Sequence, residues 1–87
     1  MTTVAVRHTV ADFDVWKPVF DGHAGVREQH GATATRVLRD GNSVMILMDF
    51  PDTAAVQAFV ADPSLADAMS RGGVQGAPDV AIFEDAG

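Results

Sequence analysis

Two polar side chains fall on a side of a predicted helix that is otherwise apolar. In the stretch FDGHAGVR, residues 20–27, His23 and Arg27 project among the directions of Trp16 and Phe20. A spacing of four residues makes them neighbours on the helix surface. A buried imidazole suits general-base catalysis near neutral pH, and a buried guanidinium suits stabilisation of an enolate or carboxylate. We therefore predict catalytic roles for both residues.

Two further polar residues lie on predicted strands. His8 follows Val4 and Val6 at every second position, so the three side chains share one face of the strand. This makes His8 a third catalytic candidate. Arg36 lies on the second strand and is opposite Met45 if the hairpin loop is Asp40-Gly41 alone. A one-residue change in that loop would turn Arg36 to the other face of the sheet.

The four polar side chains are predicted to converge on one cavity between the helices and the sheet. A pocket with apolar walls and few polar groups is typical of a small-molecule site, and aromatic walls suit a flat substrate. Arg36 is predicted to contact the substrate together with apolar wall residues. These predicted wall residues are Phe13, Trp16, Phe20, Met48, Phe59 and Met69.

Each polar residue also has an interpretation that needs no ligand. His8 would hydrogen-bond a loop backbone, and His23 would be half-exposed at the helix edge. Arg27 would extend to the helix C-terminus, where a cation is favoured. Arg36 would form an ion pair at a dimer interface, and His30 would cap the end of the helix. The apolar stripe offers Arg27 no acidic neighbour at three or four residues.

The composition argues against several kinds of site and partner. A length of 87 residues predicts a single domain over residues 1–87. The chain has no cysteine and three histidines, so we expect neither a disulfide nor a metal site. A net charge of −6 argues against nucleic acid and anionic membranes as partners.

No segment has the pattern of a cofactor-binding loop or a membrane span. The Gly-rich stretch RGGVQGAP is not followed by a helix, as a nucleotide-binding loop would be, so we predict no cofactor. The longest aliphatic run, VMILM, is too short to cross a bilayer. The first residues lack the features of a signal peptide, and a cytoplasmic protein is expected.

The first half of the chain has the pattern of a strand, a helix and a two-stranded hairpin. Asp12 is the predicted N-cap of the helix and Gly31 its predicted end. The dipeptide Asp40-Gly41 is typical of a hairpin turn. The predicted ranges are residues 2–9 for the strand, 13–30 for the helix, and 33–39 and 43–50 for the hairpin strands.

The second half again has a helical region followed by a strand. Asp52 or Thr53 caps this region, and Ser64 caps a further short turn. A Gly-rich loop over residues 71–79 leads into a last strand over residues 80–84. The order βαββαβ predicts an α+β, ferredoxin-like fold. Right-handed crossovers place the helices on one face of an antiparallel four-stranded sheet.

The third strand predicts a partner. The run VMILM does not alternate between apolar and polar residues, so both of its faces favour burial. Because the helices cover only one face of the sheet, we predict a homodimer in which two sheets pack face to face. The alternative is that Met45 and Leu47 face water.

Three stretches carry a resemblance that spans essentially the whole chain. They are the opening VRHTVADFDVWKPVFDGHAGVREQHGA, the hairpin RVLRDGNSVMILMDFPD and the ending AMSRGGVQGAPDVAIFED. With them the chain resembles the dimeric α+β barrel superfamily. Within it, the chain is similar to small bacterial proteins related to antibiotic-biosynthesis monooxygenases, some of them labelled cyclases.

The resemblance implies a dimeric α+β barrel and a range of activities. The superfamily includes cofactor-free monooxygenases of aromatic polyketides, polyketide cyclases, isomerases, haem-degrading enzymes and members without known activity. The haem-degrading members use an Asn-Trp-His set that has no counterpart here, because the one Trp is on the first helix and the one Asn is in a turn.

The predicted function is therefore a cofactor-free enzyme of the cyclase or monooxygenase type. Its substrate would be an aromatic or polyketide-like small molecule bound between helices and sheet. The alternative is a non-catalytic module of the same fold that binds a small ligand or acts through its dimer surface. A closed cavity beside His8 or His23 would favour the enzyme, and a solid core would favour the interaction module.

Overall fold

A four-stranded antiparallel sheet carries the helices on one of its faces. The structure is a computed structural model that describes all 87 residues. The strand order is β2-β3-β1-β4, as in a ferredoxin-like fold, so the predicted fold class is confirmed. No helix is long and apolar enough to cross a membrane. The elements are β1 (Thr2–Val10), α1 (Phe13–Gly22), α2 (Ala24–Gln29), β2 (Ala34–Asp40), β3 (Ser43–Phe50), α3 (Thr53–Val60), α4 (Pro63–Arg71) and β4 (Val74–Glu84).

The two faces of the sheet differ in burial. On β3 the side chains that face the helices, at positions 44, 46, 48 and 50, are at most 5% exposed. Met45 and Leu47, between them, are only half-buried on the outer face. The packing of the helices therefore distinguishes an inner and an outer face of β3, which the apolar run VMILM does not distinguish in the sequence. The core consists of Val4, Val10, Trp16, Val44, Ile46, Met48, Phe50, Val56 and Phe59.

The helix predicted over residues 13–30 is broken in two at His23. The His23 N–H donates to the Phe20 carbonyl at 3.1 Å, which tightens the chain into a turn between α1 and α2. Gly22 precedes the turn, and glycine weakens a helix because its backbone loses the most entropy there. The predicted end of the helix at Gly31 is confirmed, because its φ is +97°. The N–H groups of Gly31 and Ala32 donate hydrogen bonds to carbonyls of the last helical turn.

The hairpin turn lies one residue later than predicted. Asp40 pairs with Ser43, so the loop is Gly41-Asn42, with Gly41 at φ +59°. Arg36 is then opposite Leu47 rather than Met45. A shift of two in the partner's number preserves the face, so Arg36 lies with Leu47 on the outer side of the sheet.

Two predictions in the second half are wrong. The N-cap of α4 is Asp62, not Ser64: the Ser64 N–H donates to Asp62 Oδ1 at 2.9 Å, and Pro63 occupies the first turn. The stretch over residues 71–79 is mostly strand rather than loop, because β4 begins at Val74 and pairs with the end of β1 beyond a bulge. An edge strand tolerates the proline and glycines of that stretch.

Glycine at position 25 has no steric role. A close backbone contact would explain it, but an added Cβ would meet nothing within 4 Å, and its φ is not positive. We expect Gly25→Ala to raise the free energy of unfolding by about 0.5–1 kcal/mol, because alanine loses less entropy in a helix. Urea denaturation measures this. Gly31→Ala, at φ +97°, is the control and should destabilise; a loss at Gly25 would contradict the expectation.

Candidate functional site

A cavity of about 180 Å³ lies between the inner face of the sheet and helices α1 to α4. Its walls are predominantly apolar, and its polar side chains are two histidines and one arginine. Eight of the predicted site residues line it: His8, Trp16, Phe20, His23, Arg27, Met48, Phe59 and Met69. The other lining residues are Val6, Val19, Ile46, Val60, Leu65, Ala68, Pro78 and Val80.

Phe13 and Arg36 do not reach this cavity, so their predicted placement is wrong. Phe13 packs beside Trp16, with ring centroids 5.6 Å apart, and the Arg39 guanidinium lies 3.9 Å from the centre of its ring. Arg36 is exposed on the outer face of the sheet, opposite Leu47. The helices pack on the face of the sheet that carries Val44 and Ile46, and Arg36 of β2 lies on the opposite face.

His8 is held on β1 as a buried imidazole with an unpaired nitrogen. The residue is 7% exposed, and its ring meets the edge of Trp16 at a centroid distance of 5.5 Å. Its Nδ1 is buried without a hydrogen-bond partner, so it does not bond a loop backbone. Burial lowers the pKa of His8 below 6.5, which keeps the ring neutral at pH 7.

His23 is oriented by a hydrogen bond with Ser64 of α4. Its Nε2 lies 2.9 Å from Ser64 Oγ, and that hydroxyl donates to Asp62 Oδ1 at 2.8 Å. The direction of the bond between Nε2 and Ser64 Oγ depends on which ring nitrogen carries the proton. Burial, and then the charge of Arg27, lower the pKa of His23, so the ring is neutral near pH 7 and one of its nitrogens can accept a proton.

Arg27 is a buried cation without an ion-pair partner. It is 6% exposed and forms no ion pair. Its Nη1 donates to the Phe20 carbonyl at 2.8 Å, and its guanidinium carbon lies 3.8 Å from the centre of the Phe20 ring. Burial lowers the pKa of Arg27 below its ordinary value, and the charges of Asp21 and Glu28 act in the opposite direction, but arginine stays charged in proteins. Its positive charge favours an anion in the cavity.

Sequence reasoning missed Asp62 and Ser64 and assigned His30 differently. His30 was predicted to cap the end of its helix, whereas its Nε2 lies 2.8 Å from Asp62 Oδ2. The motif Asp-Pro-Ser at residues 62–64 has the pattern of a helix N-cap, which identifies Asp62 as a cap. Nothing local reveals that Asp62 hydrogen-bonds His30, 32 residues away, or that Ser64 hydrogen-bonds His23, 41 residues away.

No group of three or more His, Cys, Asp or Glu side chains is arranged to hold a metal ion. Two neutral imidazoles can accept a proton, and one guanidinium can stabilise the anion that remains. This arrangement suits the removal of a proton from a bound molecule.

The fold is shared with solved structures of low sequence identity. SnoaB, a cofactor-independent oxygenase from Streptomyces nogalater, matches with a TM-score of 0.82 at 18% identity over 99% of this chain and 93% of that chain. An antibiotic biosynthesis monooxygenase matches at 0.78 and 14% identity, with 100% of both chains covered. A protein of unknown function from Nitrosomonas europaea matches at 0.75 and 17%, over 94% of this chain and 85% of that one.

These matches confirm the resemblance to antibiotic biosynthesis monooxygenases at the level of the fold. No protein-family model and no curated protein sequence matches the chain.

Proposed function

We propose that the protein is a cofactor-free enzyme of the monooxygenase or cyclase type that acts on a small aromatic substrate with an ionisable hydroxyl or enol. One observation carries the proposal: Arg27 is 6% exposed beside an aromatic cavity and has no carboxylate partner. An unpaired buried cation is costly unless an anion, water or ligand balances it. The likeness in fold to SnoaB agrees with the proposal.

The chemistry begins with removal of a proton. His23 Nδ1 or His8 accepts the proton, and Arg27 stabilises the delocalised anion of the substrate. In a cyclase, the carbanion attacks a carbonyl carbon of the same molecule, and the carbonyl oxygen then takes up the proton.

In a monooxygenase, the anion of an activated methylene gives one electron to O₂, and the two radicals combine to a hydroperoxide. Loss of water leaves a carbonyl, so CH₂ and O₂ become C=O and H₂O. Molecular oxygen is the oxidant, and one of its atoms stays in the product.

The size of the cavity limits the part of the substrate that is enclosed. An apolar cavity of about 150 Å³ holds one benzene ring, and this cavity measures about 180 Å³. Two lining residues, Val60 and Val80, are 42% and 48% exposed and form an apolar rim. We infer that one ring enters beside Trp16 and that a larger polyketide-like substrate extends across this rim.

4-Nitrophenol tests the proposal, because its phenolate absorbs at a longer wavelength than the phenol. We expect binding to increase the phenolate absorbance, since Arg27 favours the anion. Arg27→Met should weaken binding by about tenfold or more, the value of a hydrogen bond to a charged group. Arg36→Met is the matched control on the outer face and should bind normally. Absence of binding to the wild type, or equal losses in both variants, would contradict the proposal.

The second candidate function is a non-catalytic module that binds a small ligand. The unpaired Arg27 supports this function equally, because binding needs the anion but not the proton transfer. Oxygen uptake and product analysis with phenols that carry an activated methylene separate the two. Binding of these phenols without oxygen uptake or any product would assign the module.

We propose further that the protein acts as a homodimer paired through the outer face of the sheet. Leu38 and Phe83 are 39% and 59% exposed there, beside half-buried Met45 and Leu47. Arg7 and Asp79, register partners on β1 and β4, place both signs of charge on the same face. A face that is apolar with mixed charges is complementary to a second copy of itself.

A further inference from the structure

A chain of side-chain hydrogen bonds joins the junction of α1 and α2 to the N-terminus of α4. His23 Nε2 lies 2.9 Å from Ser64 Oγ, Ser64 Oγ lies 2.8 Å from Asp62 Oδ1, and Asp62 Oδ2 lies 2.8 Å from His30 Nε2. The inner end, His23, is 7% exposed and lines the cavity. The outer end is partly exposed, with 24% of the His30 side chain and 23% of the Asp62 side chain accessible.

We propose that Asp62, acting through Ser64, is a positioning residue that fixes the tautomer of His23 and leaves its Nδ1 as the proton acceptor for a ligand. The inference rests on the proposed function, which uses His23 as a base. Ser64 has one hydroxyl proton, and Asp62 accepts it. Ser64 therefore presents only lone pairs to the imidazole, and Nε2 must be the protonated nitrogen. This is the role of the orienting third group behind a catalytic base.

Asp62 is suited to this role because it stays ionised. The hydrogen bond from His30, followed by those from the Ser64 hydroxyl and the Ser64 N–H, lowers the pKa of Asp62 to about 2. An ionised carboxylate accepts hydrogen bonds only, so it cannot reverse the direction of the Ser64 hydroxyl.

Charge supports the same conclusion. Arg27 and Arg71 disfavour the protonated form of His23, whereas Asp62 favours it. Once His23 has accepted a proton, the Asp62 charge therefore stabilises the imidazolium through the bridging hydroxyl. Without Asp62, both charged neighbours that remain would oppose proton transfer to His23.

Histidine ¹⁵N chemical shifts in the ligand-free protein test the tautomer without any substrate. We expect wild-type His23 to be protonated at Nε2 alone near pH 7. Ser64→Ala should produce a mixture of tautomers, and Ser64→Thr, which keeps the hydroxyl, should restore the single one. Asp62→Asn should lower the pKa of His23 in an NMR titration, because it removes the favourable charge while asparagine still caps α4.

Asp52→Asn is the matched control. Asp52 also caps its helix, α3, by accepting from the Ala55 N–H, but it forms no hydrogen bond or ion pair with a histidine. This variant should change neither the tautomer nor the pKa of His23. Wild-type His23 protonated at Nδ1, or a Ser64→Ala spectrum identical to the wild type, would overturn the proposal.

These outcomes are independent of the ligand. The proposed function fails if the wild type does not bind 4-nitrophenol, even if the tautomer is as expected. The positioning role fails on the NMR result, even if 4-nitrophenol binds. If both hold, the fraction of bound 4-nitrophenol present as phenolate should fall in Ser64→Ala and recover in Ser64→Thr.

Discussion

Glutamate in place of Val44 is expected to leave the chain unfolded at every protein concentration. Val44 is fully buried on the inner face of β3, within the core cluster and away from the cavity. A carboxylate there would lose its hydration without gaining a partner, at a cost of several kcal/mol. A domain of this size has only about 5–10 kcal/mol of stability to lose. Circular dichroism and urea denaturation measure the loss of structure.

Met45→Glu is the matched variant, one residue along on the opposite face of the sheet. It leaves the inner core intact and places a charge on the proposed dimer interface, so the expected result is dissociation. Sedimentation velocity should give the mass of a monomer for Met45→Glu at concentrations where the wild type has the mass of a dimer. The single chain should also unfold at lower urea concentration, because dimerisation adds to stability. A Met45→Glu protein that is still a dimer of wild-type stability would contradict pairing through this face.

The second large effect is a gain of stability from the loss of a site residue. His8→Leu should raise the free energy of unfolding by about 1–3 kcal/mol near pH 8, because it removes a buried nitrogen that has no partner. Leucine is apolar, as are the neighbouring Trp16 and Val6. The same change should weaken binding of 4-nitrophenol, which would identify His8 as a residue kept for function at a cost in stability. Lower stability at pH 8 would show that Nδ1 has a partner in solution.

The gain from His8→Leu should also increase as the pH falls. Burial lowers the pKa of His8 in the folded protein below the unfolded value of 6.5. Below pH 6.5 the unfolded chain therefore binds more protons than the folded one, and wild-type stability decreases as the pH falls toward the folded pKa. The variant lacks this contribution, although His23, whose pKa is also lowered, still contributes. Urea denaturation at pH 8, 6.5 and 5.5 should show a widening difference between the two proteins.

Local periodicity by itself determined much of the fold and most of the site. A repeat of 3.6 residues places Trp16, Phe20, His23 and Arg27 on one helix surface wherever that helix packs. Alternation likewise places His8 with Val4 and Val6 on one strand face. Each of these inferences needs only neighbouring residues, so the break of the helix at His23 did not remove the cluster from the cavity.

Tertiary structure alone decided which face of β3 is covered. The run VMILM is apolar on both sides, so only the packing of the helices distinguishes Ile46 inside from Leu47 outside. Arg36 follows its register partner Leu47 to the outer face and leaves the site. The start of β4 also depends on pairing with β1, which supplies backbone hydrogen bonds to a Gly-rich stretch that has no strand pattern of its own.

The orientation of the His23 ring is the feature of the site that the sequence predicts least. Asp62 and Ser64 have the local pattern of a helix cap, and as a cap their roles would be complete within α4. Their contacts with His23 and His30 arise because α4 packs beside the junction of α1 and α2, which brings together residues 41 and 32 positions apart. The strength of a hydrogen bond depends on the distance between donor and acceptor, to within a few tenths of an ångström, and on the angle at the hydrogen. Residue type and spacing do not carry that information, so only the folded arrangement decides which imidazole nitrogen holds the proton.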